Sequence, residues 1–492
     1  MAPELRSTMA AVKVGQNAMK ASREFSGLAA DSREVRPGYL FAALSGLRAD
    51  GADYIRDAVG RGAVAVLGRP ELGAHAQALG VRFIADDNPR LALARRAAAF
   101  YAAQPATIAA VTGTNGKTSV SVFLRQIWAA LGRKSASLGT IGVVTGKGER
   151  ALRQTTPDPI ELHRLLAELK HEGIEWLALE ASSHGLDQFR LDGVDIAAGA
   201  FTNITRDHLD YHADFESYLE AKLRLFTQIV REGGVAVINA DAQHADRFAQ
   251  VSRQRGLLLL TVGTKGETLR LLRLRPVGDG QELAIAFRGR TIEVRLPLAG
   301  GFQASNALVA AGLAIGLGDD ASAVFAGLER IAGAPGRLER VATVASGAPV
   351  YVDYAHTPDA LETVLRALRP HVTGKLHVVF GCGGDRDRGK RPLMGAAAQK
   401  WADEVIVTDD NPRNEDSAVI RKEILAGCPD AREIGDRAEA IRAGIAALGR
   451  GDALVIAGKG HETGQTAGGN TRPFSDRDEA VKAVASLGGA PA

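Results

Sequence analysis

Residues 108–118 read IAAVTGTNGKT, an apolar run that enters a glycine-rich turn and ends on Gly116, Lys117 and Thr118. The residues that follow, 120–131, have a helix-like pattern. A strand that leads through such a turn into a helix presents backbone N–H groups and a helix N-terminus to a phosphate. The lysine adds a positive charge, and the threonine hydroxyl can ligate Mg²⁺. The segment therefore predicts an ATP- or GTP-binding loop in an α/β domain.

The loop is shorter than the strict Walker pattern. The first glycine of G-x-x-x-x-G-K would fall at position 111, where the chain has Val111, so the loop has the form G-x-x-G-K-T from Gly113 to Thr118. A glycine-rich turn without a ligand is the alternative. Nucleotide binding is favoured because the lysine, the threonine and both flanking elements fit a phosphate site.

Further strand-like runs that stop at small or polar residues follow this loop along the chain. They lie at 176–179, 200–201, 376–380, 405–407 and 454–457, and helix-like segments lie at 160–172 and 215–229. Strands that alternate with helices predict a doubly wound, mostly parallel sheet, with ligands at the carboxyl ends of the strands. Residues 263–294 instead alternate apolar and polar side chains, which favours antiparallel strands.

The chain has 492 residues, a length that suggests about three domains. We expect an α/β protein with three parts: a smaller amino-terminal α/β domain (1–105), a central domain with a P-loop-type sheet (106–336) and a carboxy-terminal Rossmann-like α/β domain (337–492). The turn at 333–336, GAPG, is a candidate hinge.

Composition excludes several classes of protein. The net charge of +3 (60 basic and 57 acidic residues) argues against general nucleic-acid binding. Only Cys382 and Cys428 are present, which argues against a disulfide scaffold or a structural zinc cluster. No stretch approaches about 18 apolar residues, and residues 1–25 lack a secretory apolar run. We therefore expect a cytoplasmic protein that does not span a membrane.

A second candidate cluster follows two central strand-like runs. Glu180 ends one of them, and residues 202–212 (TNITRDHLDYH) contain His208 and His212. A nucleoside triphosphate needs a divalent cation, so Glu180 and His208 are candidate ligands. Two alternatives stay open: Glu180 could cap the turn at Ser182, and the histidine pair could bind zinc, although H-E-x-x-H is absent.

Lys222 lies in a helix-like segment close to Glu220. From the residues alone, a solvated side chain is the favoured interpretation.

Taken together, these motifs make the chain resemble the Mur ligase family, ATP-dependent amino-acid ligases of peptidoglycan precursor synthesis. The resemblance rests on 113–118, 180–186, 202–212 and DYAHTPDA at 353–360, and it runs from Ala30 to Asp476. GCGGDRD at 381–387, DNPR at 410–413 and GKGHE at 458–462 narrow it to members that add meso-diaminopimelate to UDP-N-acetylmuramoyl-L-alanyl-D-glutamate.

The resemblance implies an ADP-forming amide-bond ligase that uses ATP as co-substrate and Mg²⁺ as cofactor. The D-glutamyl γ-carboxylate would become an acyl phosphate, which the amine of diaminopimelate then attacks. Such an enzyme serves cell-wall biogenesis, and thereby cell shape and division. We expect a monomer without nucleic-acid partners.

The resemblance also assigns roles to matching residues. The catalytic residues would be Lys117, Glu180, His208 and Lys222. In the family the matching lysine carries a carbamate that ligates Mg²⁺, which reverses the solvated interpretation of Lys222. The metal ligands would be Thr118, Glu180, His208 and the Lys222 carbamate. The ATP-binding residues would be Gly113, Thr114, Asn115, Gly116, Lys117, Thr118, Ser119, Asn306, Arg337, Asp353 and His356.

Two further groups would bind the other substrates. The UDP-precursor residues would be Ala30, Ser32, Leu47, Arg48, Ala49, Gln154, Thr155, Thr156, Ser182, Gln188 and Arg190. The diaminopimelate residues would be Arg386, Asp410, Asn411, Pro412, Arg413, Gly458 and Glu462. Gln154 stands where relatives have Asn, and Asp241 receives no role.

Rival functions remain at this point. A lysine-adding or folylpolyglutamate-type ligase would share most motifs, and a nucleotide-hydrolysing switch would share the phosphate loop. A purely structural protein is least favoured because it would leave Lys117, Thr118, Glu180 and His208 without a use.

Overall fold

The structure is a computed structural model that describes residues 24–46, 49–205, 207 and 211–492. Its described residues divide into two compact units. The first takes in the chain up to Lys117 together with Trp128–Thr261 and Gly312–Asp319; the second takes in Thr118–Ile127, Val262–Ala311 and Asp320–Ala492.

A four-stranded parallel sheet opens the first unit, in the order β1-β2-β3-β4. Its strands are β1 (Gly27–Ala29), β2 (Tyr39–Ala42), β3 (Ala63–Gly68) and β4 (Arg82–Ala85). Its helices are α1 (Ile55–Gly60), α2 (Gly73–Ala78) and α3 (Pro89–Tyr101). Apolar clusters bury both faces of the sheet. Helix α3 begins where the Asn88 side chain accepts the N–H of Leu91 and Pro89 takes the first helical position, a favoured helix start.

The central sheet of the first unit has the order β12-β11-β10-β5-β9-β6-β7-β8. Its strands are β5 (Thr107–Thr112), β6 (Ser135–Gly139), β7 (Gly142–Thr145), β8 (Gly148–Arg150), β9 (Trp176–Glu180), β10 (Ile196–Phe201), β11 (Val230–Asn239) and β12 (Leu258–Gly263). The strands β6, β9, β5, β10 and β11 are parallel, while β7 and β8 form an antiparallel edge. Most residues of these parallel strands are buried and apolar, as expected for strands that are covered on both faces.

Helices connect these strands. They are α4 (Lys117–Ala130), α5 (Pro159–His171), α6 (Ser183–Asp187), α7 (Phe215–Arg224) and α8 (Ala245–Gln254). The helix-like run predicted at 215–229 is α7 followed by a π-helical turn, Leu225–Ile229.

The second unit contains an antiparallel meander, as the alternating pattern at 263–294 predicts. Its strands are β13 (Leu269–Val277), β14 (Gly280–Phe287) and β15 (Arg290–Leu296). Two helices follow in the chain, α9 (Gly301–Gly316) and α10 (Ala321–Leu328).

A larger mixed sheet completes the second unit, in the order β20-β19-β18-β21-β17-β16-β24. Its strands are β16 (Glu339–Thr343), β17 (Pro349–Asp353), β18 (Leu376–Phe380), β19 (Glu404–Val407), β20 (Arg432–Glu433), β21 (Ala453–Ala457) and β24 (Ala490–Pro491), with a separate hairpin of β22 (Gly464–Ala467) and β23 (Asn470–Pro473). Its helices are α11 (Pro358–Leu368), α12 (Lys390–Trp401), α13 (Ser417–Leu425), α14 (Arg437–Ala446) and α15 (Asp476–Ser486). Strands β20 to β17 in this order are parallel, and two apolar clusters make up its core.

The predicted α/β class with mostly parallel sheets is confirmed. The boundaries predicted at 105/106 and 336/337 stay predictions, because the two compact units are interleaved along the chain. Among the helices of the described ranges, none is both long and apolar enough to cross a bilayer.

Candidate active site

The phosphate loop, residues 113–118, joins the end of β5 to the start of α4. Strand β5 lies in the middle of the sheet between β10 and β9, so the loop sits at its carboxyl edge, where ligands of parallel sheets bind. Gly113 has φ of 148°, and a Cβ there would lie 1.9 Å from Thr202 Oγ1. Only glycine fits this close approach.

Two lysine side chains meet at one backbone oxygen of this loop. Lys117 Nζ donates to the carbonyl oxygens of Gly113 and Thr114, at 2.8 Å each, and Lys222 Nζ donates to the same Gly113 oxygen at 2.9 Å. Two amino groups that donate to one carbonyl oxygen form a place where an added anion can receive hydrogen bonds.

Lys222 is buried, with 1% of its surface exposed. Its Nζ lies 4.4 Å from the centre of the Tyr218 ring. Burial and the charge of nearby Lys117 hold the pKa of Lys222 well below its ordinary value, and Asp207 offsets this only in part. The solvated side chain that the residues alone favour is therefore wrong, because helix α7 turns this position toward the loop.

Glu180 ends β9 and is buried. It pairs in register with Val111 of β5, which places the end of β9 next to the strand end from which the phosphate loop begins. Thr140, between β6 and β7, donates its N–H to Oε1 at 2.9 Å and its hydroxyl to Oε2 at 3.1 Å. The following helix α6 is capped by Ser182, whose Oγ accepts the N–H of Gly185 at 3.0 Å, so the helix does not need Glu180 as its cap.

The other metal-ligand candidates are placed less completely. Thr118 is buried in the first turn of α4, as is the predicted ATP residue Ser119, and His208 lies outside the described residues. Across the ranges that the structure describes, no three His, Cys, Asp or Glu side chains gather as a ready-made metal site.

Most of the predicted precursor residues form one hydrogen-bonded network around Arg190. Its guanidinium donates to the side chain of Gln154, to the carbonyl of Thr156 at 2.6 Å and to Gln188 Oε1 at 2.7 Å. Thr156 in turn donates its hydroxyl to the Glu180 carbonyl at 2.8 Å, which ties the network to the end of β9.

The remaining members of the network join through hydroxyl groups. Ser182 Oγ donates to Thr156 Oγ1 at 3.0 Å, Thr155 Oγ1 lies 3.0 Å from Thr140 Oγ1, and Gln188 Nε2 donates to the Tyr211 hydroxyl at 3.0 Å. The network thus offers hydroxyl, amide and guanidinium groups to a polar, anionic ligand.

The predicted residues of the amino-terminal sheet stand apart. Ser32 is buried in a short 3₁₀ turn, while Ala30 and Ala49 are exposed. In the part of the chain that the structure describes, no hydrogen bond joins these three to the Arg190 network. Leu47 and Arg48 lie outside the described residues.

The other predicted ATP residues lie in the second unit. Asn306 Nδ2 donates to Gln303 Oε1 at 3.4 Å, and Gln303 Nε2 donates to the carbonyl of Arg337 at 2.8 Å. The Arg337 guanidinium lies 4.7 Å from the centre of the Tyr354 ring. These contacts bring Asn306 and Arg337 into one chain of interactions.

Asp353 ends β17 and is buried. It accepts the N–H of Leu338 at 2.6 Å and that of Ala355 at 2.7 Å, yet burial dominates and raises its pKa to about 6. His356 is anchored nearby through Nδ1, 2.9 Å from the carbonyl of Tyr354.

The predicted diaminopimelate residues lie on the amino-acid loops, which we define as 381–387, 410–413 and 458–462. They follow the neighbouring strands β18, β19 and β21, so all three meet at one edge of the sheet. A Cβ at Gly458 would lie 2.5 Å from Asp410 Oδ2, and Asn411 Nδ2 donates to Glu462 Oε2 at 3.0 Å.

Arg413 is half-buried and holds φ of 53°. One of its guanidinium nitrogens donates to the carbonyl of Gly384 at 2.7 Å. No ion pair joins Arg413 to a carboxylate within residues 24–46, 49–205, 207 and 211–492. The contact with Gly384 therefore orients the guanidinium, and no carboxylate of the described residues neutralises its charge. Arg386, the other predicted arginine, is exposed.

Sequence reasoning missed three residues that the structure places in these sites. Thr140 contacts Glu180 without belonging to any motif, and Tyr211 contacts Gln188 from within the motif at 202–212, where it was given no role. Lys459 lies inside the GKGHE motif and is fully buried. A lysine between two glycines gives no indication of burial in the sequence.

Sequence models of one family match three consecutive parts of the chain. They are the Mur ligase family, catalytic domain, over residues 24–101, the Mur ligase middle domain over 111–314 and the Mur ligase, glutamate ligase domain over 336–460.

Curated relatives match over almost the full length. A protein of Bradyrhizobium diazoefficiens named UDP-N-acetylmuramoyl-L-alanyl-D-glutamate--2,6-diaminopimelate ligase is 56% identical, covering 95% of this chain and 96% of the relative. A protein of Caulobacter vibrioides with the same name is 52% identical, covering 93% and 95%.

Solved structures share the architecture. A structure of a UDP-N-acetylmuramoyl-L-alanyl-D-glutamate--2,6-diaminopimelate ligase superposes with a TM-score of 0.71 at 35% identity, covering 94% of this chain and 95% of that one. A MurF ligase of Thermotoga maritima in complex with ADP superposes with a TM-score of 0.59 at 19% identity, covering 94% and 96%, which shows the fold alone. The three-domain α/β class predicted from sequence is confirmed.

Proposed function

The chain belongs to the Mur ligase family, and from that premise we propose that it joins meso-diaminopimelate to UDP-N-acetylmuramoyl-L-alanyl-D-glutamate at the expense of ATP, in peptidoglycan precursor synthesis. The observation that carries the proposal is the meeting of Lys117 and Lys222 on the Gly113 oxygen, at the end of a strand whose neighbour ends on buried Glu180. The choice of amino acid is supported by the names of the relatives.

Nucleotide binding follows from the phosphate loop. Lys117 folds back on the carbonyl oxygens of its own loop, and a γ-phosphate is a stronger acceptor than either carbonyl because it carries charge. Lys117 would transfer its hydrogen bonds to the phosphate and follow its charge in the transition state. Asn306, Arg337, Asp353 and His356 would hold the rest of the nucleotide.

The residues present fit a magnesium ion. Glu180 supplies a carboxylate and Thr118 a hydroxyl, both oxygen donors of the kind that Mg²⁺ prefers, and His208 would complete the set. The lowered pKa of Lys222 favours its neutral amine, whose lone pair can form an N–C bond to CO₂ and release a proton, giving a carbamate anion as a further oxygen donor. A bound Mg²⁺ would neutralise phosphate oxygens.

The reaction joins a carboxylate to an amine in two steps. The D-glutamyl γ-carboxylate attacks the γ-phosphorus, and the bond to ADP breaks, which gives an acyl phosphate. The amine of diaminopimelate attacks the acyl carbon, loses a proton and expels phosphate. The Arg190 network would hold the UDP precursor. The hydroxyl groups of this network lie at the end of β9, the strand next to β5, which leads into the phosphate loop.

Arg413 would select the amino acid. Meso-diaminopimelate carries a carboxylate on its far carbon where lysine has none, and a planar guanidinium can grip that carboxylate with two parallel hydrogen bonds. Bound lysine would leave the cation of Arg413 without its partner. A site built around a polar group rejects an analogue that lacks it by about 10⁴-fold.

Phosphate release, measured with the UDP-linked dipeptide and a panel of amino acids, tests the proposal. We expect turnover only when ATP, precursor and meso-diaminopimelate are all present. Equal kcat/KM for lysine would favour the lysine-adding alternative, and hydrolysis of ATP without the other substrates would favour a nucleotide-hydrolysing switch.

We further propose that the enzyme works as a monomer in the cytoplasm, where ATP is supplied and the thiols of Cys382 and Cys428 stay reduced. Domain boundaries at 105/106 and 336/337, with a hinge at 333–336, belong to the same proposal. Light scattering would test the oligomeric state, and limited proteolysis would test the boundaries.

A further inference from the structure

Lys459 is a fully buried lysine in the turn after β21. Lysine is almost never fully buried unless it is paired. Its Nζ donates to Asn411 Oδ1 at 3.0 Å and to Glu462 Oε2 at 3.2 Å. The amine therefore joins two of the amino-acid loops, 410–413 and 458–462, by side-chain contacts alone.

These contacts fix the orientation of the Asn411 amide. The atom that faces Lys459 also receives the backbone N–H of Thr466 at 3.0 Å. Both neighbours can only donate, so this atom has to be the amide oxygen. The amide nitrogen must then face Glu462 Oε2, to which it donates at 3.0 Å.

The same contacts fix the carboxylate of Glu462. Its Oε2 accepts from both Lys459 and Asn411, whereas its Oε1 receives no hydrogen bond from the described residues. The Glu462 side chain is 35% exposed, so the second oxygen remains open to a donor that arrives from solvent.

We propose that Lys459 is a positioning residue for the amino-acid substrate. It locks Asn411 and Glu462 so that Glu462 Oε1 accepts a hydrogen bond from an ammonium group of the diamino acid. The inference rests on the proposed function, which assigns Glu462 to the amino acid. Lys459 itself is enclosed by protein and acts only through its two partners.

The first test compares three variants. Lys459→Met keeps the chain length and removes the donor, and Lys459→Arg keeps the charge. Lys482→Met is a matched control because the Lys482 side chain is 71% exposed and forms a surface ion pair with Glu479. Loss of hydrogen bonds to charged groups predicts about a tenfold rise in KM for the amino acid in Lys459→Met. We expect unchanged KM for ATP and for the UDP precursor, partial recovery in Lys459→Arg and no change in Lys482→Met.

A purely structural role would give a different result. It would lower the melting temperature and reduce kcat without singling out the amino acid, and that outcome would overturn the inference. Should Lys459→Met not fold, Lys459→Gln, which keeps a donor of smaller size, takes its place. Failure of both to fold would likewise assign Lys459 to stability alone.

A double-mutant cycle with Glu462→Gln decides whether Lys459 acts through Glu462. If it does, the effect of Lys459→Met on the amino-acid KM should shrink to about twofold or less in the Glu462→Gln background, since residues in one network are not additive. Equal effects in both backgrounds would overturn the inference.

The cycle uses whichever amino acid the unmodified enzyme accepts. If that is lysine, the proposed substrate is wrong, but lysine also presents ammonium groups, so the cycle still decides the role of Lys459. The two proposals can therefore fail separately.

Discussion

The phosphate loop and the amino-acid loops both lie at the carboxyl ends of parallel strands, but they are held in different ways. The phosphate loop is shaped by its backbone: Gly113 approaches Thr202 too closely for any side chain, and two lysines bind one carbonyl oxygen. Two of the amino-acid loops, 410–413 and 458–462, are joined to each other by side chains, through Lys459, Asn411 and Glu462.

The difference matches what each site binds. Phosphate is common to many enzymes and is recognised by backbone N–H groups and a lysine, so a short motif specifies the site. Selection of one amino acid requires side chains with fixed directions, and those depend on contacts between loops that are distant in sequence.

Lys117→Ala should have the largest effect, because it removes the charge that follows the γ-phosphate but leaves the backbone of the phosphate loop. Loss of one such transition-state contact predicts a fall in kcat of about 10²–10³-fold or more. Phosphate release measures it, and circular dichroism checks the fold. Lys147→Ala, an exposed lysine of the same unit, should be neutral; comparable activity in the two variants would remove Lys117 from the site.

Lys222→Ala tests whether Lys222 acts as an amine or as a carbamate that ligates Mg²⁺. Loss of one anionic ligand should lower kcat by about 10²-fold, and added acetate should restore part of it by occupying the carbamate's place. Bound ¹³CO₂, detected by NMR in the unmodified enzyme, is a readout independent of turnover. Absence of that signal, together with no rescue by acetate, would contradict the carbamate.

Gly113→Ala tests whether the shape of the phosphate loop depends on the absence of a side chain at position 113. The added Cβ would meet Thr202 Oγ1 at 1.9 Å, with φ at 148°, so we expect a loss of about 2–3 kcal/mol in the free energy of unfolding. Gly146→Ala is the matched control because nothing lies within 4 Å of its Cβ position. Urea unfolding of both variants measures the difference, and identical midpoints would show that the loop can relax.

Arg413→Ala tests the amino-acid loops and should have the smallest effect on turnover. We expect KM for meso-diaminopimelate to rise by about tenfold or more as charge-assisted hydrogen bonds are lost, while kcat and the KM for ATP change little. The preference over lysine should narrow, since lysine never used the guanidinium. If Arg413→Ala keeps the full preference for meso-diaminopimelate over lysine, Arg413 does not select the amino acid.

Much of the fold was readable from sequence. The apolar runs predicted at 376–380 and 454–457 lie in β18 and β21, and the antiparallel pattern at 263–294 matches β13 to β15. These predictions succeed because a strand buried on both faces is a continuous apolar run, and a strand buried on one face alternates apolar and polar residues.

The candidate site was readable where one short segment carries it. The residues around Gly113, Lys117 and Thr118 predict a phosphate loop, whereas only the resemblance gave Lys222 a role, as a carbamate that ligates Mg²⁺, and that role stays a prediction. Its nearness to Glu220 in a helix-like segment favoured a solvated side chain, whereas its burial arises from the packing of α7 against a loop about a hundred residues earlier in the chain.

The sequence by itself determined the α/β class, the strand-to-helix phosphate loop and the family, because each depends on local patterns or on motifs in order. Only the tertiary structure decided the burial of Lys222 and Lys459, the contact of Thr140 with Glu180 and the direction of the Asn411 amide. The physical reason is that a side chain's pKa, partners and orientation are set by neighbours from other strand ends, whose proximity follows from sheet order rather than from sequence distance.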